Sequence, residues 1–343
     1  MNLADLNKVA LAMVAPGKGI LAADESTGTI KKRFDAIGVE STEDSRRDYR
    51  EMMFRTAEAM KNHISGVILY DETIWQKAKD GTPLVKIIEQ MGSIPGIKVD
   101  EGTKPLPNCS GELITIGLDK LADRLTKYYE QGARFAKWRA VIDIGNGIPS
   151  YSAIHANAHA LARYAALCQE AGVVPIVEPE VLQDGTHTIE RSGFVTSRVL
   201  AALYTELFDQ RVDLAGTLLK PNMVLSGYEA SSRAGVEDVA AATLHTFYKH
   251  VPAAVPGIVF LSGGQSDEDA TAHLNAMNAT GPHPWQLSFS YGRALQAPAL
   301  KAWGGKPENV GAAQRAYYHR AKLNSAARTG MYAPEMETEL AAV

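Results

Sequence analysis

The chain is poor in cysteine and contains no long apolar run. Among its 343 residues, Cys109 and Cys168 are the only cysteines, and they lack C-x-x-C spacing. This argues against a disulfide framework and against a thiolate zinc site. No run of about 18 apolar residues predicts a membrane-spanning helix, and the acidic first residues do not resemble a targeting segment. We therefore expect a cytoplasmic protein without a membrane partner.

An excess of charge of one sign is also missing. The formal net charge is -4 at pH 7, and 22% of the residues are charged while 45% are hydrophobic. Charges of both signs are interspersed, so the sequence does not predict the positive electrostatic potential that would attract nucleic acid. The composition is typical of a globular protein, and a small molecule is the expected partner.

Short apolar runs alternate with amphipathic stretches of helical period along the chain. Eight such runs are found, at residues 19–24, 66–70, 96–100, 135–141, 173–178, 216–220, 257–261 and 286–290. The alternation predicts βα units and a parallel sheet. A doubly wound sheet would need a G-x-G-x-x-G turn after its first strand to hold a dinucleotide, and that turn is missing. We predict an α/β fold, a single-domain (β/α)₈ TIM barrel with a closed sheet of eight parallel strands.

Two helices are marked by their ends. Polar residues 41–44 precede an amphipathic stretch that extends to Met60 and predicts one helix. Asp119 is placed to cap another helix, which stops at Gly132.

The barrel is assigned to residues 1–330, and residues 331–343 are expected to form a mobile C-terminal tail.

Ionisable residues stand where buried strands should be apolar. Six of them lie within or at the end of a predicted strand: Asp24, Lys98, Lys137, Arg139, Glu178 and Lys220. A single one could be an ion pair at the barrel rim. Side chains from five strands converge only in a closed barrel, at the end where this fold places its active sites.

Three lysines among carboxylates indicate amine chemistry. A lysine acts as a nucleophile only after losing its proton, which burial and a neighbouring positive charge favour. A second lysine supplies that charge. Lys220, which is followed by Pro221 at the end of its strand, is the candidate for a Schiff base.

Two loops have the composition of an anion site. Residues 261–266 contain two glycines and two serines, and residues 290–293 end in Arg293. Small residues let backbone amides approach an anion, and the loops after strands 7 and 8 are the recurrent phosphate site of this barrel. A second anion site is expected from hydroxyl and basic residues after strands 1 and 3: Ser26, Thr29, Arg33 and Lys98. Two anion sites beside an amine imply a bisphosphate.

Seven segments resemble signatures of the class I fructose-bisphosphate aldolase family, in the family's order. They are residues 21–28, 96–100, 135–139, 177–180, 218–224, 261–265 and 290–296. The resemblance implies reversible cleavage of fructose 1,6-bisphosphate to dihydroxyacetone phosphate and glyceraldehyde 3-phosphate, an aldehyde-lyase reaction of glycolysis and gluconeogenesis. It further implies a lysine Schiff base, no metal or other cofactor, and a homotetramer.

The resemblance also implies a role for each matching position. Lys220 is the Schiff-base lysine, Glu178 the general acid and base, and Asp24 the group that takes the C4 hydroxyl proton. Lys137 helps to polarise the site, and Glu180 is a supporting carboxylate. The C1 phosphate is assigned to Ser262, Gly263, Gly292 and Arg293, and the C6 phosphate to Ser26, Thr29 and Lys98. Arg33 and Arg139 are further phosphate-side residues, and Gly264 is a further substrate-binding residue.

One feature departs from the family pattern. Several members end in a tyrosine that exchanges the proton on the enamine, whereas this sequence ends in Val343 and its last tyrosine is Tyr332. Proton exchange at C3 is therefore expected either to be slower or to use another group. The sequence does not rank fructose 1,6-bisphosphate against fructose 1-phosphate or sedoheptulose 1,7-bisphosphate.

Two other kinds of protein would share some of these residues. A non-catalytic sugar-phosphate sensor or scaffold would keep the phosphate loops and lose the amine or its acid, but this sequence contains both. In a metal-dependent aldolase, His155 and His159 would share a metal across one helix turn, yet no third ligand is evident. Two solvated helix histidines are the simpler interpretation, and Cys168 is interpreted as a buried helix residue.

Overall fold

The eight predicted strands close into one barrel in the computed structural model, which describes residues 2–338. Ten strands are present in this part of the chain: β1 (Gly19–Ala23), β2 (Ile64–Leu69), β3 (Ile94–Lys98), β4 (Thr103–Pro105), β5 (Leu113–Thr115), β6 (Phe135–Ile142), β7 (Val174–Val181), β8 (Leu218–Leu219), β9 (Gly257–Phe260) and β10 (Gln286–Tyr291). Around the barrel the order is β1-β10-β9-β8-β7-β6-β3-β2, and all neighbours are parallel. The predicted (β/α)₈ barrel is confirmed.

Helices surround this barrel, and the first of them closes the end where the strands begin. They are α1 (Leu3–Met13), α2 (Thr27–Asp35), α3 (Glu43–Phe54), α4 (Ala57–His63), α5 (Asp71–Trp75), α6 (Leu84–Gln90), α7 (Leu121–Gln131), α8 (Tyr151–Glu170), α9 (Ile189–Asp209), α10 (Val236–His250), α11 (Asp267–Ala279), α12 (Arg293–Trp303) and α13 (Val310–Ala327). Three short 3₁₀ helices cover Leu214–Gly216, Pro307–Asn309 and Pro334–Glu337. In the described residues, no helix is long and apolar enough to cross a membrane.

Strands β4 and β5 form a small antiparallel sheet that the sequence pattern did not predict. They belong to the segment between β3 and α7. Part of this segment, Glu101 to Thr103, lines the cleft at the end of the barrel. Each of the two strands has only three residues, too few for the period of two to be recognised in the sequence.

Two of the helix predictions need correction. The stretch up to Met60 is two helices, α3 and α4, separated at residues 55 and 56. Helix α3 starts at a capping box in which Thr42 and Ser45 exchange hydrogen bonds between side chain and backbone. Asp119 does not cap α7, because the residue before that helix is Lys120, which has φ of 59° and makes no side-chain cap. The predicted stop at Gly132 is confirmed, with φ of 116°.

The interior of the barrel is closed at one end by α1. Leu6, Ala10 and Met13 of α1 are buried in one cluster with strand residues that include Ile20, Ile68, Phe135, Val174, Leu218 and Val259. Because Phe135 and Val174 begin β6 and β7, this apolar plug lies where the strands start. The opposite end, where the strands finish, is left for polar side chains.

The first and last βα units are joined by Arg328, which follows α13. Its buried guanidinium donates hydrogen bonds to the carbonyl oxygens of Ala15 (2.6 Å) and Lys18 (2.7 Å), just before β1. It also donates to the carbonyl of Leu287 in β10 at 3.0 Å. Burial lowers the pKa of Arg328 to about 10, which leaves the group charged at neutral pH.

The segment after residue 330 contacts the barrel as far as the structure describes it. Tyr332 is buried, its hydroxyl donates to Glu337 Oε1 at 2.9 Å, and Glu337 forms a salt bridge with Arg320 of α13 at 2.6 Å. Residues 339–343 of the predicted tail lie outside the described residues. The division at residue 330 stays a prediction.

Candidate active site

A cleft of about 1040 Å³ opens where the barrel strands end. It is lined by fourteen of the fifteen candidate residues: Asp24, Ser26, Thr29, Arg33, Lys98, Lys137, Arg139, Glu178, Glu180, Lys220, Ser262, Gly263, Gly292 and Arg293. Gly264, the fifteenth, is not among the lining residues, but a Cβ added to it would lie 3.1 Å from Arg293 Nη2. Residues scattered over almost the whole sequence thus meet in one place because the sheet closes.

Two lysines and two carboxylates form the centre of the cleft. Lys220 Nζ lies 3.1 Å from Glu178 Oε1, and Lys137 Nζ lies 3.2 Å from the other oxygen of Glu178 and 2.8 Å from Asp24 Oδ2. Asp24 follows β1, Lys137 and Glu178 lie within β6 and β7, and Lys220 follows β8. Lys137, Glu178 and Lys220 are each at most 4% exposed. We name these four residues, which were all predicted to be catalytic, the catalytic centre.

The charges of the catalytic centre stabilise one another. Burial alone would raise the pKa of Asp24, but the ammonium groups of Lys137 and Lys220 outweigh it and lower the pKa well below its ordinary value. Burial opposes the charge of Lys137, yet the carboxylates of Asp24, Glu178 and Asp100 together raise its pKa. Asp24 and Lys137 are therefore a carboxylate and an ammonium throughout the neutral range.

Asp100 is a buried residue of this site that the sequence analysis did not select. Its Oδ1 accepts a salt bridge from Lys98 at 2.8 Å, and its Oδ2 lies 3.9 Å from Lys137 Nζ. It thus connects a predicted phosphate lysine to the catalytic centre. The sequence contains the feature that would have identified it, because Asp100 ends the third predicted strand as Asp24 ends the first.

The loop after β9 turns sharply toward α11. We call residues 262–264, which belong to the predicted anion site, the phosphate loop. Gly263 and Gly264 have φ of 58° and 103°, a backbone that residues other than glycine rarely adopt. Next to this loop, α12 begins at Arg293 directly after Gly292, so the first backbone N–H groups of a helix and a guanidinium are available to an anion.

The segment after β1 supplies hydroxyl groups at the start of α2. Ser26 caps this helix, and its Oγ lies 3.1 Å from Thr29 Oγ1. Arg33 in the next turn pairs with Glu25, which is buried. The Arg33 guanidinium also reaches the loop after β10, since a Cβ added at Gly292 would lie 3.8 Å from Arg33 Nη2. β1 and β10 are neighbours in the barrel, which explains this proximity.

Glu25 is a second residue that the sequence analysis missed. Besides Arg33, it lies 3.9 Å from the fully buried Arg50 and accepts a hydrogen bond from Gln296 of α12 at 2.9 Å. Nothing in the sequence pattern distinguishes it from a solvated glutamate. Arg139 and Glu180, which were both predicted, pair with each other across β6 and β7.

The histidines of the metal-dependent alternative contact a glutamate on the neighbouring helix. His155 and His159 of α8 place Nδ1 at 3.1 and 2.8 Å from the two carboxylate oxygens of Glu206 in α9. Among the described residues, no group of three or more histidine, cysteine or acidic side chains is arranged to hold a metal ion. Cys168 is fully buried in α8, as expected.

Comparison with known proteins agrees with this geometry. A family model described as "Glycolytic: Fructose-bisphosphate aldolase class-I" matches residues 5–342. The chain is 58% identical to cytosolic fructose-bisphosphate aldolase 4 of Arabidopsis thaliana, over 92% of this chain and 81% of the relative. It is 56% identical to a probable class 1 fructose-bisphosphate aldolase of Xanthomonas campestris, over 97% of this chain and 99% of the relative.

A solved structure gives the same result for the fold. Fructose-bisphosphate aldolase from Plasmodium falciparum, crystallised in complex with TRAP and a small-molecule inhibitor, superposes with a TM-score of 0.94 at 50% identity. The match covers 96% of this chain and 95% of the solved chain. Sequence motifs, barrel, cleft and relatives lead to one conclusion: this chain belongs to the class I fructose-bisphosphate aldolase family.

Proposed function

We propose that the cleft catalyses the reversible cleavage of fructose 1,6-bisphosphate to dihydroxyacetone phosphate and glyceraldehyde 3-phosphate through a Schiff base on Lys220. The observation that carries this proposal is the buried contact between Lys220 Nζ and Glu178 Oε1 at 3.1 Å. An amine becomes a nucleophile beside a group that accepts its proton, and the same group can return that proton to a leaving hydroxyl.

The first half of the reaction forms the imine. Lys220 gives one ammonium proton to Glu178, and its Nζ then attacks the C2 carbonyl of the open-chain sugar. A second nitrogen proton moves to the C2 oxygen, which gives a carbinolamine. Glu178 then protonates the C2 hydroxyl, which leaves as water. The product is a protonated imine whose nitrogen attracts electrons. Lys137, 3.2 Å from Glu178, keeps that carboxyl oriented between the two lysines.

The second half breaks the carbon–carbon bond. Asp24 takes the proton of the C4 hydroxyl, the C3–C4 bond breaks, and its electron pair moves into the imine to give an enamine. Glyceraldehyde 3-phosphate leaves as the aldehyde. A proton from solvent adds to the enamine at C3, and Asp24 loses its proton to solvent. Addition of water to the resulting imine then releases dihydroxyacetone phosphate and regenerates Lys220. Asp24 is ionised at neutral pH, as a proton acceptor must be, and it lies beside Lys137 in the cleft.

The two phosphates are assigned to the two loop regions. We place the C1 phosphate at the phosphate loop with Gly292 and Arg293, and the C6 phosphate at Ser26, Thr29 and Lys98. Arg33 and Arg139 add positive charge, although each is paired with a carboxylate in the structure. Neither assignment excludes fructose 1-phosphate or sedoheptulose 1,7-bisphosphate, which carry a phosphate at C1 as well.

Tyr332 is not the group that exchanges the C3 proton in this proposal. Its hydroxyl is bonded to Glu337, and it is absent from the side chains that line the cleft.

The chain is further proposed to work in the cytoplasm, as a homotetramer, with no metal or other cofactor. The cytosolic name of the Arabidopsis relative and the family assignment support these points.

Borohydride trapping tests the proposed function directly. The protein is reduced with borohydride in the presence of dihydroxyacetone phosphate and excess chelator, and the adduct is located by intact and peptide mass spectrometry. An adduct on Lys220 is expected. An adduct on Lys98 or Lys137 would keep the chemistry and overturn the assignment of roles. If the folded protein forms no adduct, the sugar-phosphate sensor becomes the better interpretation.

A further inference from the structure

We infer that Tyr228 is a positioning residue for the phosphate loop and thereby sets the affinity for the C1 phosphate. Its hydroxyl donates a hydrogen bond to the carbonyl oxygen of Gly263 at 3.1 Å, and Tyr228 itself does not line the cleft. The inference rests on the proposed function, because it assigns a role within the same reaction. Tyr228 lies in the segment between β8 and α10.

The phosphate loop needs such support because two of its residues are glycines with positive φ. Glycine has access to many backbone conformations, so a glycine pair orders itself only at an entropic cost. The carbonyl of Ser262 is already fixed by the backbone N–H (3.0 Å) and the side-chain amide (3.1 Å) of Gln265. The Gly263 carbonyl is fixed by Tyr228.

Fixing this carbonyl fixes the next amide as well. The peptide that joins Gly263 to Gly264 is planar and trans, so its C=O and N–H groups point in opposite directions. When Tyr228 holds the carbonyl on its own side, the N–H of Gly264 is turned to the other side. Backbone N–H groups preset in this way bind an anion without further ordering.

The ring of Tyr228 also lies near the arginine of the anion site. A Cβ added at Gly264 would lie 3.3 Å from Tyr228 Cε2 and 3.1 Å from Arg293 Nη2. The tyrosine ring and the guanidinium that we assign to the phosphate therefore both pack against the same side of Gly264. The exposed guanidinium of Arg233 lies 5.3 Å from the centre of the Tyr228 ring, within the range of a cation–π contact.

Tyr228 is itself held by the loop after β7. Its backbone N–H donates to the carbonyl of Gln183 at 2.9 Å, and the N–H of Gly227 donates to the carbonyl of His187 at 2.8 Å. The two loops approach so closely that a Cβ at Gly227 would lie 2.2 Å from the carbonyl oxygen of Gly185. The backbone of Tyr228 is thus held in one position by the loop after β7. Burial raises the pKa of Tyr228 to about 12, so the hydroxyl keeps its proton at neutral pH.

The test compares Tyr228→Phe with the wild-type protein. This variant keeps the ring and removes the hydrogen bond to Gly263, so we expect the KM for fructose 1,6-bisphosphate to rise about three- to tenfold with kcat changed less than about twofold. Half-maximal borohydride trapping should require more dihydroxyacetone phosphate by the same factor. Trapping of dihydroxyacetone, which has no phosphate, should not change.

Tyr248→Phe is the matched control. It removes a tyrosine hydroxyl whose partner is His283 on the outside of the barrel, at 2.7 Å, and should leave all these values unchanged. Thermal unfolding shows whether either variant is folded. Should Tyr228→Phe be destabilised, Arg233→Gln weakens the support of the ring from an exposed position and should raise the same KM by a smaller factor.

Three results would overturn the inference: an unchanged KM in folded Tyr228→Phe, an unchanged KM in Arg233→Gln when it is the variant required, or an equal loss of trapping with dihydroxyacetone. Failure of the proposed function looks different, because then the wild-type protein neither cleaves the sugar bisphosphate nor traps an adduct. In that case an equilibrium titration with inorganic phosphate still decides the role of Tyr228, since the inference requires weaker binding in Tyr228→Phe than in wild type and in Tyr248→Phe.

Discussion

The catalytic centre and the phosphate loop line the same cleft but are built by different means. In the centre, two ammonium groups and two carboxylates lie within 3.2 Å of a partner of opposite charge, and all of them except Asp24 are buried. The phosphate loop consists of backbone bent at two glycines, and its contacts are a tyrosine hydroxyl, a glutamine and neighbouring backbone. Its one adjacent cation, Arg293, forms no salt bridge within residues 2–338.

This difference separates what the two regions control. Removing one charge from the centre leaves its partner buried and changes the protonation of the others, so the chemical step is affected. Changing the loop alters where N–H groups point, so the binding of a phosphate is affected. Centre variants should therefore lower kcat, and loop variants should raise KM. Each of the following predictions tests that separation.

The largest effect is expected for Lys220→Met. Without the amine no imine forms, and kcat should fall by about 10⁴-fold or more. Lys301→Met, at an exposed position of α12, should keep full activity. Binding of inorganic phosphate, followed by equilibrium titration, should be unchanged in both variants. Phosphate binding lost together with activity would show that the centre and the loop are not separable.

Asp24→Asn should lower kcat by about 10²- to 10⁴-fold, the usual contribution of a positioned base. It should also destabilise the fold at pH 7 by about 3 kcal/mol, because it leaves Lys137 with one fewer buried partner. The pKa of Asp24 is lower in the folded than in the unfolded protein, so its carboxylate contributes stability at pH values above the ordinary pKa near 3.9. This stabilisation is lost as the pH falls through the pKa of the folded state.

Denaturant unfolding of the wild type and Asp24→Asn at several pH values measures this dependence. The gap in the free energy of unfolding should be widest near neutral pH and should narrow below about pH 4. Asp35→Asn, which removes an exposed aspartate paired with Lys31, serves as the control and should show almost no gap. A gap that widens toward acid would contradict the assigned charges.

Arg293→Gln should act on binding. Losing a charge-assisted contact with a phosphate should raise the KM for fructose 1,6-bisphosphate by about 10- to 100-fold while kcat changes less. Arg315→Gln removes an exposed guanidinium of α13 and should leave KM unchanged. Steady-state kinetics distinguish the two parameters. A fall in kcat with constant KM would place Arg293 functionally in the centre.

The smallest effect is expected for Tyr332→Phe. The hydroxyl is bonded to Glu337 rather than directed into the cleft, so exchange of the C3 proton should stay within about twofold of wild type. Release of tritium from labelled dihydroxyacetone phosphate measures this exchange. A large loss of tritium release, with the same thermal stability, would restore Tyr332 as the exchanging group.

The barrel was predictable from the sequence because its strands are short apolar runs that end in polar residues. Lys220 and Glu178 could be selected since a charge in or at the end of a buried strand is costly without a function. Asp100 satisfies the same rule and was overlooked. Glu25 could not be found by it, because its burial depends on Arg50 and Gln296, which reach it from distant helices.

The pairing of charges was less predictable than their presence. Arg33 and Lys98 are predicted to bind a phosphate. In the structure, Arg33 forms a salt bridge with Glu25, and Lys98 forms one with Asp100. Tyr228 shows the same limit, since its contact with Gly263 joins two loops that no local pattern connects. Local patterns predict elements and their ends, whereas contacts between loops depend on how the closed sheet arranges them.

The guanidinium of Arg328 has a consequence for how the chain reaches this state. Its bond to Lys18 joins positions separated by 310 residues, and the pairing of β1 with β10 has a similar span. Contacts at such separation form slowly, because a long loop must close before they contribute. Ring closure is then a late and cooperative event in folding, so the first and last units of the barrel should protect each other's amides from hydrogen exchange.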